Sequence, residues 1–295
     1  MANSDSIGSI SKLCYFSLLN IQGLKPSTRP SCVPYVADLL HDKDQLFICL
    51  TETWLHDHVT AELTIKGYTS YRADRDYSKR HSGKCKGRFS GGVACYIKDD
   101  FAASMEELLS FSNGVIEVLV LYSKVNNILI IALYRQPDDV VNGHRSTSRE
   151  LAECISKVKD ILLNIDTPEP NIILLGDFNL PSVDWVKLSC SGSKCVKDCF
   201  LVLQEFLDKY GLVQYISKPT HWQGKTLDLV FLNNDLLIHS YEVNDVLQSI
   251  SHHSIIQLAS TIGLKSSKQT EPDKQDLTSS LKKFNFHSED IDWEK

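Results

Sequence analysis

The sequence predicts an α/β domain built on mixed β-sheets, and three observations lead to that prediction. A chain of 295 residues with 42% hydrophobic and 23% charged side chains can bury a sizeable core. Short apolar runs typical of strands outnumber the segments with helical periodicity, and the two kinds alternate irregularly. Two runs, Ile116–Tyr122 and Ile128–Tyr134, are joined by Asn126-Asn127 and have the pattern of an antiparallel hairpin. A wholly parallel sheet is therefore not expected.

The strand candidates are short, apolar and rich in β-branched residues, and turn-forming residues bound most of them. In chain order they are Leu13–Leu19, Leu46–Leu50, Gly92–Ile97, Ile116–Tyr122, Ile128–Tyr134, Asn171–Leu175, Leu227–Leu232 and Ile255–Ala259. Helices are expected at Pro34–His41, Ser148–Leu163 and Val196–Tyr210, where apolar residues recur every three or four positions. Gly211 is placed to end the third helix.

Composition also narrows the class of protein. The formal net charge is −6, which argues against a histone-like nonspecific binder but is compatible with an enzyme that holds a cation between carboxylates. Nine cysteines without a Cys-x-x-Cys pair indicate reduced thiols, and we expect a nuclear or cytoplasmic protein. No apolar stretch approaches the roughly 18 residues that a membrane helix needs, so no membrane partner is expected.

A change in composition predicts the domain boundary. From about Gly263 onward Lys, Ser, Gln, Asp and Thr dominate and apolar residues are few, which is typical of a linker. We therefore expect one compact domain at residues 1–261 and a polar linker or tail at residues 262–295.

Five short strings follow or precede strand-like runs, so a folded sheet could gather their polar side chains into one site. They are Asn20-Ile21-Gln22-Gly23-Leu24, Thr51-Glu52-Thr53-Trp54, Leu133-Tyr134-Arg135-Gln136-Pro137, Gly176-Asp177-Phe178-Asn179 and Ser251-His252-His253-Ser254. Hydrolysis of a phosphodiester needs a hard cation, a group that activates water and donors for the developing negative charge. The strings contain candidates for each of these roles.

Taken together and in this order, the strings resemble the endonuclease/exonuclease/phosphatase superfamily. The sequence around them is most similar to the endonuclease domain of non-LTR retrotransposon polyproteins, and the resemblance spans nearly the whole chain. It implies a DNase I-like, four-layer α/β sandwich in which two mixed β-sheets pack face to face with helices outside.

The resemblance also implies a metal site. Glu52 and Asn20 match the side chains that serve the cation, which would be Mg²⁺, with Mn²⁺ as the alternative. Carboxylate and amide oxygens are ligands that Mg²⁺ prefers. Taken alone, a glutamate after a strand is more often a solvated strand end.

The remaining roles fall on five residues. Asp177 matches the aspartate that activates water, and Asn179 matches the asparagine that binds or orients the phosphate. Spaced two apart, these two side chains would share one face of an extended chain. His253 matches the histidine that stabilises the transition state, with Asp228 fixing its ring, and Tyr134 matches a tyrosine that contacts phosphate. The plainer alternatives are a turn cap for Asp228 and core packing for Tyr134.

One position departs from the family. Where the family has aspartate before the histidine, lying toward the metal, this chain has His252. Loss of that negative charge predicts a weaker cation site, and imidazole would favour Mn²⁺ or Zn²⁺ over Mg²⁺.

The segment from Arg72 to Arg88 has seven basic residues against two acidic ones, a local net charge of +5. In the family this position is a DNA-facing loop, so its basic residues are candidate contacts to DNA phosphates. They are Arg72, Arg75, Lys79, Arg80, Lys84, Lys86 and Arg88. The irregular spacing of Cys190, Cys195 and Cys199 argues against a zinc site.

The function implied by the resemblance is Mg²⁺-dependent nicking of double-stranded DNA for a non-LTR retrotransposon or a gene derived from one. The partner of such a domain would be a reverse transcriptase in a longer polyprotein. Two alternatives stay open: an inactive remnant that binds DNA, favoured by His252, and a phosphatase or phospholipase of the same superfamily.

Overall fold

A computed structural model describes residues 12–25, 30–56, 63–76, 78, 90–138, 148–167, 169–234 and 238–262. Within them the strands are β1 (Lys12–Asn20), β2 (Phe47–Thr51), β3 (Tyr68–Ala73), β4 (Val93–Lys98), β5 (Glu106–Ser112), β6 (Ile116–Ser123), β7 (Ile128–Arg135), β8 (Asn171–Asp177), β9 (Val183–Asp184), β10 (Ser189–Cys190), β11 (Val213–Gln214), β12 (Asp228–Leu232), β13 (Ile238–Asn244) and β14 (Ile255–Ile262). The helices are α1 (Val33–Asp42), α2 (Asp99–Ala102), α3 (Ser148–Asn164) and α4 (Lys194–Lys209).

The strands form two six-stranded sheets and a small β9–β10 hairpin. The first sheet has the order β13-β14-β1-β2-β4-β3, and the second has the order β11-β12-β8-β7-β6-β5. The pairs β1–β2 and β7–β8 are parallel, and the other neighbours in both sheets are antiparallel. The prediction of mixed sheets is therefore confirmed, as is the hairpin of β6 and β7.

The two sheets pack face to face around a buried apolar core. Phe16 and Phe47 of the first sheet stack with ring centroids 4.7 Å apart, in the same cluster as Leu175 and Val230 of the second. Helices cover the outer faces: α1 buries Val36 against the first sheet, and α3 and α4 pack on the second. The expected four-layer sandwich is confirmed.

The sequence-based strands correspond to the internal strands of the two sheets. The strands missed from the sequence are the edge strands β3, β5, β11 and β13 and the β9–β10 hairpin. The last described strand ends at Ile262, so the predicted tail beyond it lies outside the described residues. Among the described residues, no helix has the length and apolar character needed to cross a membrane.

Candidate active site

The polar strings meet because the strands that precede them end at one edge of the sandwich. In the first sheet, parallel pairing sets Asn20 at the end of β1 beside Thr51, directly before Glu52. In the second sheet, Asp177 at the end of β8 pairs with Tyr134 on one side and with Asp228 on the other. The topology therefore brings five side chains from distant parts of the sequence to one place.

Asn20 joins the two sheets at this edge. Its amide nitrogen donates to Asp177 Oδ2 at 2.8 Å and to Glu52 Oε1 at 3.1 Å, while its amide oxygen accepts the backbone N–H of Gln22 at 3.2 Å. The opposite amide orientation would set the oxygen against two carboxylates and leave the Gln22 N–H facing a donor. As placed, Asn20 is a donor that holds two carboxylates together, and its expected role beside the metal stays a prediction.

Asp177 and Asn179 are also in contact, but not for the predicted reason. β8 ends at Asp177, and the chain then turns, with Asn179 at φ 48°, a left-handed conformation that asparagine tolerates. Asn179 donates its backbone N–H to Asp177 Oδ1 at 3.0 Å and its side-chain N–H to Asp177 Oδ2 at 2.9 Å. A local turn, and not an extended strand, sets the pair together.

A residue that the sequence analysis did not single out closes this turn. Asn179 donates its second side-chain N–H to the Arg135 carbonyl at 2.7 Å, and the Arg135 guanidinium donates to the Asn179 carbonyl at 2.9 Å. Both side-chain N–H groups of Asn179 are therefore engaged, so Asn179 orients Asp177 in this conformation and its amide nitrogen is not offered to a phosphate. The sequence feature that could have pointed to Arg135 was its position directly after Tyr134, in one of the five strings.

His253 and Asp228 form a buried pair. His253 Nδ1 lies 2.7 Å from Asp228 Oδ2, and both side chains are almost fully buried. Burial alone lowers the pKa of His253, but the charge and hydrogen bond of Asp228, with the charges of Asp177 and Glu52, together raise it to about 9. The ring is therefore an imidazolium at neutral pH. Asp228 acts as its partner and not as a turn cap.

Ser251 fixes the backbone beside this pair. Its hydroxyl donates to the Asn20 carbonyl at 2.5 Å and accepts the His253 backbone N–H at 3.0 Å. The segment that carries the histidine is thereby fastened to the end of β1. The sequence analysis quoted Ser251 within its string without giving it a role.

A divalent cation suits this group of side chains. Burial and then the nearby charge of Asp228 raise the pKa of Asp177 well above its usual value, with Glu52 adding to the effect. Asp228 Oδ1 is buried and has no hydrogen-bond donor among the described residues. Oxygen donors with excess negative charge favour a hard cation, and the carboxylate of Glu52 is partly exposed and open to a hydrated ion.

Tyr134 is buried behind these carboxylates. Burial, followed by the charge of Glu52, raises the pKa of its hydroxyl well above the usual value, and Arg75 acts in the opposite direction. The Arg75 guanidinium carbon lies 5.4 Å from the centre of the Tyr134 ring. The phenol therefore keeps its proton at neutral pH, and its O–H can donate a hydrogen bond.

Arg75 was expected to contact DNA, and the structure corrects that prediction. Its guanidinium makes a bidentate ion pair with Glu117 at 2.9 and 3.0 Å, donates to Ser90 and Gln136, and is 1% exposed. A buried, fully engaged guanidinium cannot reach a phosphate.

The other basic candidates have different outcomes. Arg72 is partly buried and pairs with Asp74 at 3.2 Å. The remaining candidates lie outside the described residues and stay predictions: Lys79, Arg80, Lys84, Lys86 and Arg88. In the described part of the chain, Asp177, Asp228 and His253 form a group whose ligand atoms all lie within 4.8 Å of one another.

His252 is exposed, and its ring lies beside Trp222 at a centroid distance of 5.9 Å. Its backbone N–H donates to the Gln22 side chain at 3.0 Å. The substitution therefore changes the surface of the site and leaves the buried network of Asp177 and His253 in place.

Comparisons with known proteins support the fold. A sequence profile described as "Endonuclease-reverse transcriptase" matches residues 128–257, which contain Tyr134, Asp177, Asn179, Asp228 and His253. The AP endonuclease LMAP from Leishmania major has a similar structure, with a TM-score of 0.57, 14% identity and coverage of 85% of this chain and 88% of that one. The profile covers less than half of the chain, and the structural likeness supports the DNase I-like sandwich fold.

Two further solved structures are also similar to the chain. The endonuclease domain of TRAS1, a telomere-specific non-LTR retrotransposon, has a TM-score of 0.52 and 14% identity over 86% of this chain and all of that one. The 3′ phosphatase NExo from Neisseria, bound to a product DNA hairpin, has a TM-score of 0.55 and 16% identity. The match covers 83% of this chain and 98% of that one. A search of curated proteins finds no match. At these identities the likeness shows a shared fold.

Proposed function

We propose that the chain is a Mg²⁺-dependent DNA endonuclease of a non-LTR retrotransposon, or of a gene derived from one. It would nick one strand and leave the 3′-hydroxyl that a reverse transcriptase extends. The observation that carries the proposal is the buried network at the joined edge of the sheets, in which Asn20 links Glu52 to Asp177 beside the Asp228–His253 pair.

The proposed roles follow from charge and burial. Glu52 would hold the cation, which supplies electrostatic stabilisation to the phosphate when it is bound. Asp177, whose pKa is raised, accepts a proton from the attacking water, and Asn179 orients its carboxylate. The His253 imidazolium donates to a phosphate oxygen and offsets the charge that develops there. Tyr134 supplies a second, neutral donor.

The similarity to a 3′ phosphatase supports a second candidate, hydrolysis of a phosphomonoester at a DNA end. The same network could activate water against either ester, so the substrate separates the two candidates. An enzyme that removes a terminal phosphate would leave a supercoiled circle intact, because a circle has no ends.

The test is relaxation of supercoiled plasmid with Mg²⁺ or Mn²⁺ by the native chain, Asp177→Asn and His252→Asp. The matched control is Asp184→Asn, which removes an exposed carboxylate from the β9–β10 hairpin. We expect the native chain and the control to nick and Asp177→Asn to lose activity by about 10²-fold or more. The nicked product should prime a DNA polymerase without further treatment.

Two results would redirect the proposal. Nicking by His252→Asp but not by the native chain would identify an impaired endonuclease whose buried network is intact. Absence of nicking in both, with release of phosphate from a 3′-phosphorylated hairpin, would replace the endonuclease with the phosphatase.

A further inference from the structure

An exposed tryptophan lies at the surface of the active site. Trp222 is 65% exposed and is the one aromatic side chain among the large exposed hydrophobic residues of the described segments. Removing so large a ring from water is favourable, so its exposure calls for an explanation. The proposed roles in hydrolysis do not use it.

Ring contacts connect Trp222 to the buried histidine. His253 lies 4.8 Å from His221, measured between ring centroids, and His221 lies 6.0 Å from Trp222. On its other side Trp222 lies 5.9 Å from His252. Two ring-to-ring contacts therefore connect His253 to the solvent-exposed ring of Trp222. A nucleotide whose phosphate lies at His253 could reach that ring with its base.

The backbone that carries these rings is well fixed. Trp222 donates its N–H to the His252 carbonyl at 3.1 Å, and His221 donates its own to the Lys225 carbonyl at 3.0 Å. The Gly224 N–H closes the turn on the His221 carbonyl at 2.8 Å, and Gln22 holds the N–H of His252. A ring presented on a hydrogen-bonded turn loses little entropy when a ligand covers it.

We propose that Trp222, with His252 at its edge, is a stacking surface for a nucleobase adjacent to the phosphate that His253 contacts. The neighbouring rings are imidazoles and not aliphatic side chains, so the surface suits a flat, polar, aromatic ligand better than the apolar face of a protein. An aromatic face binds any base, because every base has a π-face. This inference rests on the proposed function and gives the position of His252 a role.

The test compares two strands of equal charge: a single-stranded oligodeoxynucleotide and an abasic oligonucleotide of the same length. Binding is measured with EDTA present, which prevents cleavage, for the native chain, Trp222→Ala, Trp222→Phe and Val213→Ala. Val213 is 59% exposed and lies on the edge strand β11, so it is the matched control for loss of exposed apolar surface.

We expect Trp222→Ala to bind the base-containing strand roughly 5- to 100-fold more weakly, with its affinity for the abasic strand unchanged. Trp222→Phe should retain most of the difference in affinity between the base-containing and the abasic strand. Val213→Ala should retain all of this difference. If Trp222→Ala lost the same affinity for both strands, or lost affinity for neither, the proposed stacking surface would be wrong. Plasmid nicking by the native chain decides the proposed function separately, so a nicking enzyme whose Trp222→Ala variant binds normally would sink only this inference.

Discussion

At the scale of single residues, the charge of His253 depends on Asp228. Because its pKa of about 9 lies above the usual 6.5, the imidazolium contributes fully to stability below about pH 6.5 and loses that contribution as the pH rises through 9. In Asp228→Asn the neutral amide no longer supports the charge, so the pKa of His253 should fall. NMR titration of the histidine side chains in the metal-free protein measures the change.

The same substitution should lower the nicking rate by roughly 10²- to 10⁴-fold and move the alkaline limb of the pH profile to lower pH. Asp184→Asn serves as the control, because this carboxylate is exposed and belongs to the β9–β10 hairpin. An unchanged titration of His253 in Asp228→Asn would show that the buried pair does not set its charge.

Glu52 allows a separate prediction about the cation. Glu52→Gln keeps an oxygen for the Asn20 hydrogen bond but removes the negative charge. The Mg²⁺ concentration for half-maximal nicking should rise by about 10- to 100-fold or more, and calorimetric titration should show weaker Mn²⁺ binding. The same cation dependence before and after the substitution would exclude Glu52 as the ligand.

At the scale of secondary-structure elements, the close pairing of β7 and β8 depends on Gly176. This residue has φ 153°, and a Cβ there would lie 1.7 Å from the Leu133 carbonyl oxygen. Gly176→Ala must push backbone away from backbone directly before Asp177. We expect a loss of about 1–3 kcal/mol or more in the free energy of unfolding, measured with urea, and a fall in nicking.

Gly67→Ala is the control for this substitution, because Gly67 also has positive φ but its added Cβ would meet nothing within 4 Å. Its cost is confined to backbone strain. Equal losses in the two variants would mean that β7 and β8 can separate at little cost and that their close approach does not define the site.

At the scale of the whole molecule, the buried Arg75–Glu117 ion pair connects the two sheets. Glu117 of β6 accepts two hydrogen bonds from Arg75, which follows β3, and one from the Gly92 N–H at 3.0 Å. Arg75→Met leaves a carboxylate buried without its partner, which should cost about 3–5 kcal/mol in the free energy of unfolding. Urea denaturation of the full chain measures this loss.

The exposed pair Lys187–Asp184 provides the comparison. Lys187→Met should cost at most about 1 kcal/mol, because solvent screens this pair. The double variant Arg75→Met, Glu117→Leu should recover much of the stability lost in Arg75→Met, since no unpaired charge remains buried. If Arg75→Met cost no more than Lys187→Met, the ion pair would have no part in joining the sheets.

Sequence patterns found the internal strands of both sheets and missed the edge strands, for a physical reason. Internal strands such as β2 and β7 are buried at every position and so form continuous apolar runs. The edge strands β3 and β5 carry exposed polar side chains, which are as common in loops. Periodicity reports burial, and an edge strand is only partly buried.

In the sequence by itself, apolar runs predicted mixed sheets, and the resemblance of the polar strings to a known superfamily indicated the sandwich and the residues that meet at the site. Only the tertiary structure decided what several of these residues do. Arg75 belongs to a basic segment, but it pairs inside the protein with Glu117, 42 residues away. The amide orientation of Asn20 depends on Asp177, 157 residues away. Hydrogen bonds and burial join residues that are distant in the chain, and a local sequence pattern cannot show which distant residues become neighbours in the fold.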